Sequence, residues 1–190
     1  IKIINVSGRC IRKGDHSMLT MVEYVHQRIS TYSFQVGVDF TMGNGHDTLF
    51  LAEQCPKVYA FDIQPEALEN TKKRLGDRQH VQLILDSHEN MKQYFSSFDI
   101  GIFNLGYLPQ ASHHITTTLP STQKAVCQAI EMMKKALFIV VYPGHEEGYQ
   151  ESLWIHEYVS QLDSHQFHVS CFQMLNKKKA PYVIEIEKKQ

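Results

Sequence analysis

VGVDFTMGNGHDTLFLA, residues 36–52, reads as strand, turn and helix. Val36 to Phe40 is a short apolar run carrying an acid, Asp39. Gly43 and Gly45 then supply tight backbone, and Asp47 to Ala52 resumes with apolar residues at helical spacing. Such a turn lets a ligand lie against bare backbone at a helix N-terminus, where unpaired N–H groups and the helix dipole favour polar or anionic groups. The spacing Asp39-x3-Gly43-x-Gly45 lacks the third glycine of the dinucleotide fingerprint. Taken alone it reads equally as a plain tight turn.

A second acid changes that balance. Lys57 to Asp62, KVYAFD, is another strand ending on a carboxylate, about 20 residues past the glycines, where an α/β nucleotide site hydrogen-bonds a ribose. His80 to Leu85 is a third strand, followed by Asp86, Ser87 and His88. Strand-terminal acids around a glycine turn describe a site for an adenosine-type ligand.

Working outward, Asp15 or Ser17 is placed to cap a helix reaching about Ser30, with Met18, Met21, Val22, Val25 and Ile29 on its inner face. Pro65 opens a helix at its favoured first-turn position, with Lys72, Lys73 and Arg74 in its last turn. A fourth strand spans Phe98 to Phe103, a helix runs from about Ser121 to Lys135, and Ala136 to Tyr142 is a fully apolar strand suited to a covered parallel sheet. The loop from Pro143 to Gly148 precedes a helix to about Leu162. Gln166 to Leu175 and Tyr182 to Glu187 then follow with no helix between them, which predicts an antiparallel pair. Alternating strands and helices closed by a hairpin make a doubly wound, mostly parallel α/β sheet with an antiparallel C-terminal hairpin.

The 190 residues, 43% of them hydrophobic, suffice for one core and hence a single domain over 1–190, with a covering helix at about 15–30 and a core at about 34–188. The longest apolar run falls far short of the ~18 residues that span a bilayer, so no membrane partner and a cytoplasmic location are expected. The chain begins at Ile1 rather than Met, so a few residues are expected to precede it. Cys10, Cys55, Cys127 and Cys171 have no C-x-x-C spacing, which predicts reduced, mostly core-packed thiols and no metal site. A net charge of −1 gives no global basic field, so any contact with nucleic acid rests on local patches.

The sheet pattern, with acids after its first three strands, resembles the class I S-adenosylmethionine-dependent methyltransferases and their Rossmann-like fold. VDFTMGNGHDTLFLA, FNLGYLP, VVYPGHEEG and APYVIEIEK together resemble more closely a small bacterial family labelled putative rRNA methylases. The resemblance covers about Gly14 to Lys188. It implies S-adenosylmethionine as cofactor and the anticodon region of tRNA as substrate, with the aminomethyl group of a wobble uridine methylated to methylaminomethyl. It also implies that Asp39, Thr41, Gly43, Asn44, Gly45 and Asp47 surround the methionine part of the cofactor, with Asp47 alternatively capping its helix. Asp62 would then bind the ribose, Gln64 would flank the adenosine, and Asp86 with Ser87 would meet the adenine edge. After NLGYLP the chain departs from the family, with Gln110-Ala111-Ser112-His113-His114 where a glycine-containing turn is usual.

Methyl transfer from a sulfonium is an in-line displacement, so positioning an uncharged nucleophile is the main task. Asn104 would accept a hydrogen bond from the acceptor amine, beside the cofactor, while Tyr107 stacks on the extruded base and Pro109 lines the same loop. An alkylammonium must lose a proton first, and His113, His114, His145 and Glu146 lie in loops expected at the carboxyl ends of strands. Lys177, Lys178 and Lys179 join the last two strands within reach of phosphates. A homodimer would extend that basic surface. The alternatives are an rRNA substrate, a nicotinamide-dependent oxidoreductase, against which the missing third glycine counts, and a non-catalytic subunit that keeps the fold.

Overall fold

The computed structural model describes residues 19–105 and 119–189, together with the backbone of two short antiparallel strands, β1 (Ile3–Ile4) and β2 (Cys10–Ile11). The first helix, α1 (Met21–Ile29), begins later than its apolar spacing suggests. Thr20, not Asp15 or Ser17, caps it: the Thr20 hydroxyl accepts the Glu23 N–H at 3.1 Å while the Glu23 carboxylate accepts the Thr20 N–H at 2.9 Å. That reciprocal box satisfies two orphan donors and fixes the start. Met21, Val25 and Ile29 are buried, whereas Asp15, Ser17 and Met18 lie outside the described residues.

The glycine turn joins β3 (Val36–Asp39) to α2 (His46–Gln54). After it come β4 (Lys57–Asp62), α3 (Pro65–Leu75), β5 (Val81–Leu85) and a short 3-10 helix over His88–Gln93. The remaining elements are β6 (Phe98–Leu105), α4 (Leu119–Met132), β7 (Met133–Val141), α5 (Glu146–Ser160), β8 (Phe167–Phe172) and β9 (Tyr182–Lys188). One seven-stranded sheet has the order β5-β4-β3-β6-β7-β9-β8, in which β9 runs antiparallel to both neighbours and the first five strands are parallel. The chain order reverses between β3 and β6. Such a switch point, outside the carboxyl ends of the strands, is where sheets of this kind take their ligands.

Met133, Lys134 and Lys135 belong to β7, not to the preceding helix. Met133 is buried and pairs with Phe98, while Lys134 is exposed, so the alternation of a strand edge overrides the helical spacing. Strand β6 likewise runs two residues past Phe103: Asn104 and Leu105 pair with Val140 and Val141. Where β3 has ended, the Thr41 hydroxyl accepts the Asn104 N–H at 2.7 Å and extends the ladder.

Each face of the sheet has its own core. Phe40, Phe61, Phe103, Leu137 and Ile139 pack beneath α4 and α5, and Phe40 stacks on Phe103 with ring centroids 4.3 Å apart. On the other face Val25 and Ile29 of α1 and Leu51 of α2 share a core with Val58 and Phe138 of the sheet. Cys55 follows the expected burial but Cys171 does not: it lies exposed on β8, which has a neighbour on one side only. No helix among the described residues is long and apolar enough to cross a membrane.

Candidate active site

Three carboxylates mark the carboxyl edge of adjacent strands. Asp39 ends β3 and is fully buried; its two oxygens accept the Thr41 N–H at 3.1 Å and the Thr48 hydroxyl at 2.6 Å. Burial first, and the neighbouring Asp47 charge second, push its carboxyl up to about 7 against those hydrogen bonds. Asp62 ends β4 and accepts the Gly43 N–H at 2.9 Å and the Gln64 N–H at 2.9 Å, which ties the glycine turn to the head of α3. Asp86, just past β5, accepts from the Ser87 N–H at 2.7 Å, Asn90 Nδ2 at 2.9 Å and the Tyr94 hydroxyl at 2.8 Å. Burial would raise its carboxyl, but those donors hold it below the usual carboxylate range. With three donors already placed, Asp86 keeps about one of roughly four lone-pair directions for a ligand.

The glycines earn their places through backbone geometry. Gly43 and Gly45 have φ of 50° and 75°, the left-handed region that side chains disfavour. A Cβ on Gly45 would also sit 2.6 Å from Thr71 Oγ1, so α3 closes against the turn only where there is no side chain. Gly45 is the N-cap of α2 and has no side chain to cap it, so the helix presents bare N–H groups at its start. Asn44 is exposed and drawn towards α3, its Oδ1 accepting Asn70 Nδ2 at 3.1 Å and its carbonyl accepting Arg74 Nε at 2.6 Å.

Asp47 does not cap its helix. One oxygen lies 2.7 Å from His26 Nε2 and the other accepts Asn104 Nδ2 at 3.3 Å, so α1, α2 and the end of β6 meet at one buried carboxylate. His145 is itself a cap. Its Nδ1 accepts the Gly148 N–H at 3.0 Å and starts α5 at Glu146, inside the stretch that reads as loop. Gly148 fits that first turn because a Cβ there would meet the Tyr142 carbonyl at 2.2 Å. Tyr107, Pro109, His113 and His114 lie outside the described residues. Lys177 to Lys179 are exposed between β8 and β9, and pairing of Val141 with Tyr182 puts that connection at the carboxyl edge of the parallel strands.

Two residues to which the sequence gives no role join this region. His26 is on α1, at the margin of its apolar stripe. His88 is buried, its Nδ1 3.0 Å from the Phe40 carbonyl, and its Nε2 has no hydrogen-bond partner among the described residues. Burial holds its imidazole below its ordinary pKa, so it stays neutral there.

Residues 58–187 match the profile of the family described as "Putative rRNA methylase". This chain belongs to that family. Among curated proteins, the chloroplast tRNA (mnm5s2U34)-methyltransferase of Arabidopsis thaliana is 30% identical over 80% of this chain, which spans 63% of that relative's length. A "putative rRNA-methylase" from Clostridium thermocellum superposes with a TM-score of 0.85 at 32% identity, covering 91% of this chain and all of the other. A "putative methyltransferase" of Streptococcus mutans, in complex with SAH, gives a TM-score of 0.83 at 35% identity over 91% of this chain and all of its own. The fold is thus the Rossmann-like methyltransferase sheet, and the SAH held by the Streptococcus mutans protein is what the cofactor S-adenosylmethionine becomes once its methyl group has left.

The donor chemistry of the site fits that cofactor. S-Adenosylmethionine offers an ammonium, a ribose diol and an exocyclic amine, all hydrogen-bond donors. The strand-end groups Asp39, Asp62 and Asp86 are acceptors, and the orphaned His88 Nε2 is one more.

Proposed function

We propose that the chain methylates the aminomethyl nitrogen of a tRNA wobble uridine. The observation that carries this reading is the orientation of Asn104. A carboxylate only accepts, so the contact with Asp47 assigns the amide NH2 of Asn104 to Asp47 and leaves Oδ1 for an N–H or O–H donor at the carboxyl end of β6. An amine acceptor supplies that donor. The name of the Arabidopsis relative supports the wobble uridine as its carrier, and the exposed Lys177 to Lys179 at the same edge suit tRNA phosphates.

In this reading the chain is one methyltransferase domain covered by α1. Asp39 holds the cofactor ammonium with the Gly43–Gly45 backbone around it, Asp62 holds the ribose hydroxyls, Gln64 flanks the adenosine, and Asp86 and Ser87 border the adenine. Bound S-adenosylmethionine supplies an electrophilic methyl for in-line transfer. Asn104 Oδ1 accepts one amine N–H and aims the nitrogen lone pair along that line, while Thr41 fixes the Asn104 backbone. Tyr107 stacks on the extruded base.

Radiolabelled methyl transfer to bulk tRNA and rRNA from a strain lacking the protein tests the reading. Label in tRNA, recovered as methylaminomethyl-uridine, is the expected result. Label confined to rRNA overturns it.

Asp39 adds a pH dependence. Burial and the Asp47 charge push its carboxyl up to about 7 in the folded protein, from near 3.9 in an unfolded chain. Its contribution to stability is therefore full below about 4 and is lost as pH rises through 7. A cationic cofactor favours the ionised form, so binding at pH 6 should release close to one proton per site, and affinity should climb as pH rises from 6 towards 8. Titration calorimetry in buffers of different ionisation heat measures the release. No proton release at pH 6 removes Asp39 from the ammonium site.

A further inference from the structure

Asp47 is 6% exposed, at the second position of α2, and its two oxygens are claimed by side chains from two other elements. The Asn104 contact is the longer of the two, at 3.3 Å against 2.7 Å for His26 Nε2. What keeps Asp47 aimed at Asn104 is therefore mainly its bond to the imidazole. Because Asp47 only accepts, Nε2 of His26 carries the hydrogen. The ring itself is fixed: it stacks on Phe50 with centroids 3.8 Å apart and planes 6° from parallel, and Phe50 is buried one turn beyond Asp47 on the same helix.

We propose that His26 is a positioning residue for methyl transfer, acting through Asp47 to hold the Asn104 amide with its Oδ1 turned to the acceptor N–H. The inference rests on the reading of Asn104 given above. Without the imidazole, Asp47 keeps a buried oxygen with no donor and turns towards whatever N–H or water satisfies it. The Asn104 amide is then free to rotate, and a flipped amide presents NH2 to an N–H of the substrate, donor against donor. Such a flip misaligns the nucleophile and leaves the strand-end carboxylates that hold the cofactor untouched.

Three substitutions in the full chain test this. His26→Phe keeps the stack on Phe50 and loses the donor, and His26→Asn keeps a polar amide too short to reach Asp47. His26→Gln restores an N–H at comparable reach. Both losses should lower kcat about tenfold or more with cofactor affinity within about twofold, and His26→Gln should recover most of the rate. In an Asn104→Ala background, adding His26→Phe should cost almost nothing further, because residues that act through one contact are not additive. Parent kcat in either loss variant overturns the inference, as does a full added cost on top of Asn104→Ala, or a His26→Gln enzyme no faster than His26→Phe. A parent protein that methylates no aminomethyl-uridine tRNA instead removes the function beneath it. An active parent with an unaffected His26→Phe variant removes this inference alone.

Discussion

Asn104→Ala is expected to lower methyl transfer roughly 100-fold, the scale at which a single group placed against the reacting atom matters, while S-adenosylmethionine binds nearly as in the parent. The separation follows from where Asn104 sits. It lies in β6, beyond the end of β3, with its main chain carried by Thr41 and its amide by Asp47. The three carboxylates assigned to the cofactor, at the ends of β3 and β4 and just past β5, do not bond to it among the described contacts. Truncation to Ala removes an acceptor aimed at the substrate and leaves Asp47 its His26 partner, so the fold and the cofactor cradle stay as they were. Calorimetric titration with S-adenosylmethionine and single-turnover labelling of tRNA measure the two quantities separately. A variant that turns over at the parent rate removes Asn104 from the reaction, and one that no longer binds cofactor moves it into the cofactor site.

Much of the frame is legible in the sequence because its signals are local. Val36, Val38, Val58 and the run from Ala136 to Val141 are β-favouring residues with no polar interruption, and Gly43 and Gly45 stand where the backbone needs positive φ. The acids at 39, 62 and 86 follow strands and can be read as a row once the strands are recognised. What escapes is long-range. His26, on an amphipathic helix, reads as solvent-facing until Asp47 arrives from another element. His145 reads as a loop residue near a site, yet it starts a helix, a role usually taken by Ser, Thr, Asp or Asn. Met133 sits at a spacing that suits the preceding helix and is claimed by Phe98 across the sheet instead. Asp86 is legible as a strand-end acid, but the donors from Asn90 and Tyr94 that spend most of its capacity are not.

Arg28→Met is expected to destabilise the protein by about 2–3 kcal/mol, the usual cost of orphaning a buried charge reduced because part of the guanidinium is already in water. Glu185 in β9 is 3% exposed, and Arg28 of α1 meets it with two nitrogens, Nε at 2.9 Å and Nη2 at 2.6 Å, while the Arg28 side chain stays 36% exposed. Tyr32 donates to Glu185 at 3.3 Å and also bonds Glu187. Burial first, then its hydrogen bond to Glu187, hold the Tyr32 phenol above its ordinary range, so it remains a donor at any working pH. One hydroxyl shared with Glu187 cannot replace a bidentate guanidinium. Met keeps the apolar stem of Arg28 and removes the charge with its N–H donors, so urea unfolding of the variant should show a lower midpoint with an unchanged slope. Adding Glu185→Leu should return most of the loss, because an apolar side chain at that register needs no partner between α1 and the sheet. A deficit under about 1 kcal/mol, or a double variant no more stable than Arg28→Met, would show that the pair does not anchor the helix. The same variant probes function, since Arg28 lies two residues from His26 on a nine-residue helix. Loosening α1 from β9 should slow methyl transfer in the single variant, and Glu185→Leu should restore the rate along with the stability.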